Sequence, residues 1–146
     1  MREQLSRQYD SATLIRYDTA MKYYLRGEQP ADVPPQVAPL FLPVNQSFMR
    51  SWAAFDPPAA IRAVRQPVLI MQGETDLQAS VADAERLHAA RPDARLVLVP
   101  EVNHVLKYVT DRTLAGQMAT YTDPSIPIVP EVVAAIAGWI LALGGR

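Results

Sequence analysis

The sequence lacks cysteine, long apolar runs and an excess of one charge sign, and each absence excludes a class of protein. With no cysteine among its 146 residues, the chain can form neither disulfides nor a thiolate metal site. No stretch approaches the roughly 18 apolar residues of a membrane-spanning helix. The 14 basic residues nearly balance the 15 acidic ones, without long runs of like charge. We therefore expect no nucleic-acid partner and no membrane span.

Histidine is also scarce, with His88 and His104 as the two copies in the chain. They do not have the His-x-x-x-His spacing of a helical metal site, so a metal would depend on carboxylates. We predict neither a metal nor a cofactor. The first ten residues contain no apolar segment of the kind found in a signal peptide. The compartment therefore stays open, and any targeting signal is expected upstream of Met1.

The beginning and the end of the sequence predict helices. Apolar residues recur there at helical spacing, and tyrosines line the packing face predicted for the first helix. Prolines crowd the stretch from Pro30 to Pro58, which excludes a long uninterrupted helix in that region. The predicted helices cover residues 3–26, 45–55, 56–64 and 130–143, and residues 111–122 fit either a short helix or an irregular segment.

The middle of the sequence predicts a strand, a helix and a second strand. Residues 67–72 and 94–99 are apolar without alternation, which is typical of parallel strands that are covered on both faces. Ser80 begins a Ser-x-x-Asp capping pattern for a helix over residues 80–90. A strand–helix–strand crossover predicts a parallel, right-handed strand pair. The predicted fold class is therefore α/β, with two parallel strands, a crossover and flanking helices.

Two polar side chains follow the two predicted strands. Asp76 comes after the first strand in Gly-Glu-Thr-Asp, and His104 comes after the second in Asn-His. Functional groups collect at the carboxyl ends of parallel strands, and a crossover places neighbouring strand ends side by side. A carboxylate beside an imidazole fixes its tautomer, and the imidazole can then act as base and acid. We predict Asp76 and His104 to be catalytic residues.

Each of these residues also has a purely structural interpretation. An aspartate in a turn is commonly a turn former or a helix cap, although Ser80 can already cap the following helix. A lone histidine in a loop is more often structural or solvated than catalytic. The combination at consecutive strand ends, in the order Asp then His, favours function. Glu74 is the rival acid, and His88 is predicted to be solvated.

The two strands and their loops resemble the C-terminal part of α/β-hydrolase fold enzymes, near the serine hydrolase and serine-aminopeptidase-like branch. The matching segment, residues 67–107, is PVLIMQGETDLQASVADAERLHAARPDARLVLVPEVNHVLK. The flanking segments FDPPAAIRAV and DPSIPIVPEVVAAIAGWI extend the match. The resemblance implies that Asp76 is the acid and His104 the base of a catalytic triad. It also implies that residues 56–146 are the C-terminal part of the hydrolase core and residues 1–55 a helical cap, or lid.

The nucleophile of that family lies in a Gly-x-Ser-x-Gly turn upstream of the cap, and this sequence contains no such motif. An HGGG-type oxyanion loop is absent as well. The resemblance therefore implies that the nucleophile and most of the central sheet lie upstream of Met1, and we expect the isolated chain to be inactive. The nucleophile of the superfamily is Ser, Asp or Cys. The branch resembled here favours serine and an ester or peptide bond.

Two strands make a very small sheet for an α/β domain. Poorly covered strand residues forfeit about 1.5–3 kcal/mol each. We therefore expect the chain to be marginally stable and to associate with a separate N-terminal half or with a second copy of itself.

Three interpretations stay open. The first is part of a hydrolase for a small-molecule or peptide substrate, with substrate choice set by the cap through Tyr17, Tyr24, Phe48 and Trp52. The second is a non-catalytic α/β module that self-associates through an exposed sheet edge. The third is an unrelated small α/β binding domain.

Overall fold

The computed structural model describes residues 2–6 and 8–145, which belong to two compact units, Met1–Asp56 and Pro57–Arg146. The described residues form seven α-helices, one 3₁₀ helix and a sheet of two parallel strands. The chain is therefore a mixed α/β protein, and this coarse part of the predicted fold class is confirmed. Its assignment to a hydrolase core and a cap stays a prediction.

The first unit is helical. Its elements are α1 (Arg2–Ser6), α2 (Ser11–Leu25), the 3₁₀ helix (Pro35–Phe41) and α3 (Pro43–Ala54). The Phe41 ring meets the rings of Tyr17 and Tyr24 edge-on, at centroid distances of 5.8 and 5.2 Å. Aromatic pairs prefer this geometry. Two of the tyrosines predicted for a packing face are thus buried, in a core made by Tyr17, Ala20, Tyr24, Val37, Phe41 and Met49.

The first predicted helix is interrupted. The Asp10 side chain accepts a hydrogen bond from the Thr13 N–H (2.7 Å) and thereby caps α2, so the chain forms two helices where the sequence predicted one over residues 3–26. In α3, Phe48 and Trp52 share one side of the helix as predicted. That side is exposed, and the two rings stack with centroids 6.4 Å apart.

The second unit is built around the sheet. Its elements are α4 (Pro57–Ala63), β1 (Leu69–Gly73), α5 (Val81–Ala90), β2 (Arg95–Val99), α6 (Leu114–Thr122) and α7 (Pro130–Gly144). In the parallel register, Leu69 lies opposite Arg95 and Gly73 lies opposite Val99. Both strands therefore end at the same level. The loops that follow them leave the sheet side by side.

The crossover helix α5 begins with a capping box. The Ser80 Oγ accepts the Asp83 N–H, and the Asp83 carboxylate accepts the Ser80 N–H, each at 3.2 Å. These bonds satisfy N–H groups that have no partner inside the helix. Just beyond the other end of α5, the Arg91 guanidinium donates to the carbonyls of Ile61 and Gln66. Arg91 thus fixes the segment between α4 and β1.

Apolar clusters cover both faces of the sheet, because neighbouring residues of a strand point to opposite faces. Ile70 belongs to one cluster and Met71 to the other. The clusters do not cover β1 completely, because Ile70 is buried whereas Leu69 and Met71 are half-buried. The buried members of the two clusters are Ile70, Ala84 and Ala94 on one face and Val99, Val102, Val129 and Val132 on the other.

The last helix, α7, is apolar on its exposed side. Val132 is its one buried residue among those described, and no charged residue occurs from Val132 to Gly145. We call its exposed large residues the apolar α7 face: Val133, Ile136, Ile140 and Leu141, each between 38% and 76% exposed. Neither α7 nor any other helix within residues 2–6 and 8–145 has the length and apolarity needed to cross a membrane.

Candidate acid–base site

The loop after β1 contacts the loop after β2 through its backbone. The N–H of Glu74 donates to the carbonyl of Val99 (3.0 Å), and the N–H of Thr75 donates to the carbonyl of Val102 (3.1 Å). A Cβ atom on Gly73 would lie 2.2 Å from the Val102 carbonyl oxygen. Glycine at the end of β1 is therefore what allows the two loops to come this close.

Asp76 and His104 meet where these loops adjoin. The Oδ2 atom of Asp76 lies 2.8 Å from the Nδ1 atom of His104. The Asp76 side chain is 6% exposed, whereas the His104 side chain is 44% exposed. The structure thus brings together the two residues that were selected from the sequence because each follows the carboxyl end of a predicted parallel strand. Their catalytic role stays a prediction.

The Asp76 carboxyl group is held in one orientation by its surroundings. Its Oδ1 accepts the backbone N–H groups of Gln78 (2.6 Å) and Ala79 (3.1 Å). Its Oδ2 accepts a longer bond from the Gln72 Nε2 (3.3 Å) in addition to the contact with His104. Asp76 is therefore a turn former as well as the partner of His104.

This geometry determines which nitrogen of His104 is open to react. With the carboxylate as acceptor, Nδ1 carries the hydrogen of the contact and Nε2 keeps its lone pair. Because His104 is substantially exposed, Nε2 can accept a proton from a group that approaches from outside the loop. The pair can therefore work as a general base and then as a general acid, which is the chemistry expected of a carboxylate–imidazole pair.

The loop that carries His104 is shaped by Asn103, which is fully buried. The Asn103 Oδ1 accepts the N–H groups of Val105 (3.2 Å) and Lys107 (3.1 Å), and so closes the chain around His104. Two residues of this loop have positive φ angles, Glu101 at 57° and Leu106 at 59°. Side chains other than glycine rarely adopt this conformation, so the loop depends on its hydrogen bonds.

Helix α6 contributes two buried polar side chains to the site. Gln117 donates through Nε2 to the Thr75 carbonyl (2.6 Å), and the Thr120 Oγ1 accepts the Nδ2–H of Asn103 (2.6 Å). The sequence left residues 111–122 between a short helix and an irregular segment, so these contacts were missed. A usable signal was present at Thr113, whose side chain accepts the Gly116 N–H and caps α6.

The other titratable candidates do not join the pair. Glu74 is exposed, and His104 bonds to Asp76. His88 lies on α5, where its Nδ1 is buried and has no hydrogen-bond partner among the described residues. The prediction that His88 is solvated is therefore wrong for this nitrogen, because the apolar side of α5 packs on the sheet.

Among the described residues of the second unit, no serine hydroxyl is hydrogen-bonded to His104. Ser80 donates through Oγ to Asp83 (2.8 Å) and Ser125 donates through Oγ to Asp123 (2.6 Å), so both hydroxyl groups bond to nearby carboxylates. No group of three His, Asp or Glu side chains in the part of the chain that the structure describes could hold a metal ion.

The first unit has an apolar groove of about 260 Å³ between α2 and α3, lined by Tyr17, Met21, Leu25, Met49, Trp52 and Ala53. Of the four residues predicted to set substrate choice, Tyr17 and Trp52 line this groove. Tyr24 is fully buried, and its hydroxyl donates to the Leu42 carbonyl. Tyr24 therefore offers no exposed side-chain surface to a substrate, and its predicted part in substrate choice stays a prediction.

Comparison with family models, with curated proteins and with solved structures finds no match for this chain. Membership of the α/β-hydrolase superfamily consequently stays a prediction from the sequence resemblance. What the structure itself adds is a buried aspartate in contact with a partly exposed histidine at the carboxyl ends of two parallel strands.

Proposed function

We propose that this chain supplies the acid and the base of a hydrolase that cleaves an ester, amide or peptide bond. The observation that carries the proposal is the 2.8 Å contact between Asp76 Oδ2 and His104 Nδ1. The contact is formed by two loops that follow neighbouring parallel strands, where α/β enzymes collect their functional groups. The resemblance of residues 67–107 to the hydrolase superfamily supports the same conclusion.

In the proposed mechanism, His104 takes a proton from the nucleophile through Nε2. Asp76 stabilises the resulting imidazolium and keeps the ring oriented. His104 then returns the proton to the leaving alcohol or amine, and repeats the cycle with water to release the acid product. The nucleophile, in our proposal a serine, comes from a segment or chain other than residues 57–145.

The proposal includes a partner for the second unit, either an N-terminal half that carries the nucleophile or a second copy of this chain. Two features support association. The sheet has two strands, so each strand has one edge without a strand partner in the described structure. The apolar α7 face adds uncharged surface that would be buried favourably.

The test is to express the full reading frame that contains this sequence and to assay it on p-nitrophenyl esters and aminoacyl p-nitroanilides. We expect His104→Ala to lower kcat by about 10³-fold or more, because the nucleophile loses its base. The matched control is His88→Ala, which changes the other histidine of the chain and should retain activity. Full activity of His104→Ala would refute the assignment.

A second function is supported by the small sheet and the apolar α7 face. In this alternative, the chain is a non-catalytic module that self-associates through its exposed surfaces. Association of the chain without any hydrolysis by the full reading frame would favour it. The third interpretation, an unrelated binding domain, would have been favoured by a separation of Asp76 from His104. The contact at 2.8 Å counts against it.

A further inference from the structure

Helix α6 is bonded to the residue that precedes each member of the acid–base pair. Gln117 is 2% exposed and bonds to the carbonyl of Thr75, directly before Asp76. Thr120 is 5% exposed and bonds to Asn103, directly before His104. One helix thus connects the acid loop to the base loop through two buried hydrogen bonds, in addition to the sheet itself.

The hydrogen bonds at Thr120 have a fixed direction. The Thr120 hydroxyl donates its one hydrogen to the carbonyl of Gln117 (2.7 Å). It must therefore accept from Asn103, whose Nδ2 atom lies 2.6 Å from the hydroxyl oxygen. This fixes the orientation of the Asn103 amide and leaves its Oδ1 as the acceptor for the N–H groups of Val105 and Lys107.

A third contact joins the same helix to the base loop. The Lys107 ammonium donates to the carbonyls of Thr120 (2.8 Å) and Asp123 (2.7 Å), at the end of α6. The loop needs this support because Leu106, a bulky residue, is held at a φ of 59°. Without the bonds from α6, we expect the loop to relax and His104 to leave its position beside Asp76.

We propose that Asn103, Gln117 and Thr120 are positioning residues that hold the His104 Nδ1 at the Asp76 carboxylate and thereby set the tautomer of the imidazole. The proposal deepens the proposed function, on which the catalytic use of the pair rests. The tautomer is a property of the folded chain, however, and it can be measured without a nucleophile or a substrate.

The experiment is long-range ¹H–¹⁵N NMR of the full chain labelled at its histidine ring nitrogens. The spectrum contains the signals of two imidazole rings. In His88→Gln one set is lost, and the set that remains belongs to His104. In the native chain we expect His104 to carry its hydrogen on Nδ1. In Thr120→Val, which keeps the shape of the side chain and removes the hydroxyl, we expect a several-fold fall in the ratio of the Nδ1–H to the Nε2–H form.

Two variants on the same helix control for a general loss of structure. Thr120→Ser retains the hydroxyl and should restore the native ratio. Thr122→Val removes an exposed hydroxyl of α6 that bonds to the Ala119 carbonyl, outside the contacts with Asn103, and should leave the ratio unchanged. If Thr120→Val does not fold, Gln117→Met removes the bond to the acid loop instead and is expected to lower the same ratio.

An unchanged tautomer ratio in folded Thr120→Val would overturn the proposal, and so would an equal change in Thr122→Val. The outcome is separable from that of the proposed function. A changed ratio in Thr120→Val, together with full hydrolysis by His104→Ala, would retain the positioning role and reject the triad. Loss of hydrolysis in His104→Ala with an unchanged ratio in Thr120→Val would retain the triad and reject the positioning role.

Discussion

At the scale of single residues, Gly73 allows the two site loops to approach each other closely. A Cβ at this position would lie 2.2 Å from the Val102 carbonyl oxygen and 3.1 Å from that of Asn103. Since both atoms belong to the backbone, neither can move without disturbing the base loop. The glycine is therefore needed for space, and the acid–base pair depends on it.

We predict that Gly73→Ala destabilises the chain by about 1–3 kcal/mol, the usual cost of inserting a methyl group into a packed site. Urea unfolding followed by circular dichroism measures the change. The matched control is Gly138→Ala in α7, where a Cβ would meet nothing within 4 Å. It should be neutral or stabilising by up to about 1 kcal/mol, because alanine favours helix. Equal stability of the two variants would contradict the close approach.

At the scale of secondary-structure elements, the capping box of α5 makes stability depend on pH. Hydrogen bonds from the side chain and the N–H of Ser80 lower the pKa of Asp83 below its ordinary value of 3.8. A lowered carboxyl pKa contributes stability that is present above the ordinary value and is lost as the pH falls through the folded-state value. The cap is therefore weakened only at acid pH.

We predict that Asp83→Asn lowers stability at neutral pH and that the difference from the native chain disappears as the pH falls below about 4. The loss should stay below about 1 kcal/mol, since the Asp83 side chain is 52% exposed and solvent screens it. Thermal melts across this pH range measure it. The control is Glu85→Gln, which removes a carboxylate from the same helix outside the cap and should change stability little at neutral pH. A difference that persists at acid pH would contradict the prediction.

The elements also show what the sequence could and could not predict. The β1–α5–β2 order was predictable because apolar runs and a Ser-x-x-Asp cap are local signals, and the adjacency of Asp76 and His104 follows from parallel topology. The roles of Gln117 and Thr120 were not predictable, because α6 has a weak pattern and because its bonds cross between loops. Helical spacing likewise placed Phe48 and Trp52 on one side of α3 without showing that this side is exposed.

At the scale of the whole molecule, exposed apolar surface is expected to drive association. The apolar α7 face consists of Val133, Ile136, Ile140 and Leu141, on a helix without charge after Glu131. Such a surface is unfavourable in water. Burying it against another chain would add free energy of stabilisation that the small core does not supply. The isolated chain should therefore not behave as a monomer.

We predict that the chain sediments as a dimer or larger species and that Ile136→Lys combined with Ile140→Lys shifts it towards the monomer. Charge on both positions opposes burial of the face. The matched control is Ile15→Lys, which charges an exposed isoleucine of α2 (64% exposed) and should leave the sedimentation coefficient of the assembly unchanged. A native chain that sediments as a monomer and melts cooperatively would contradict this prediction.

Within the described residues, the hydrogen bonds of Asp76, Asn103 and His104 are made with partners from residues 72–120, one continuous stretch of the second unit. This continuity has a consequence for how such a sequence can diverge. A substitution in residues 1–56 removes no donor and no acceptor of these bonds. The acid and the base, together with the groups that hold them, can therefore be inherited as one short piece of chain.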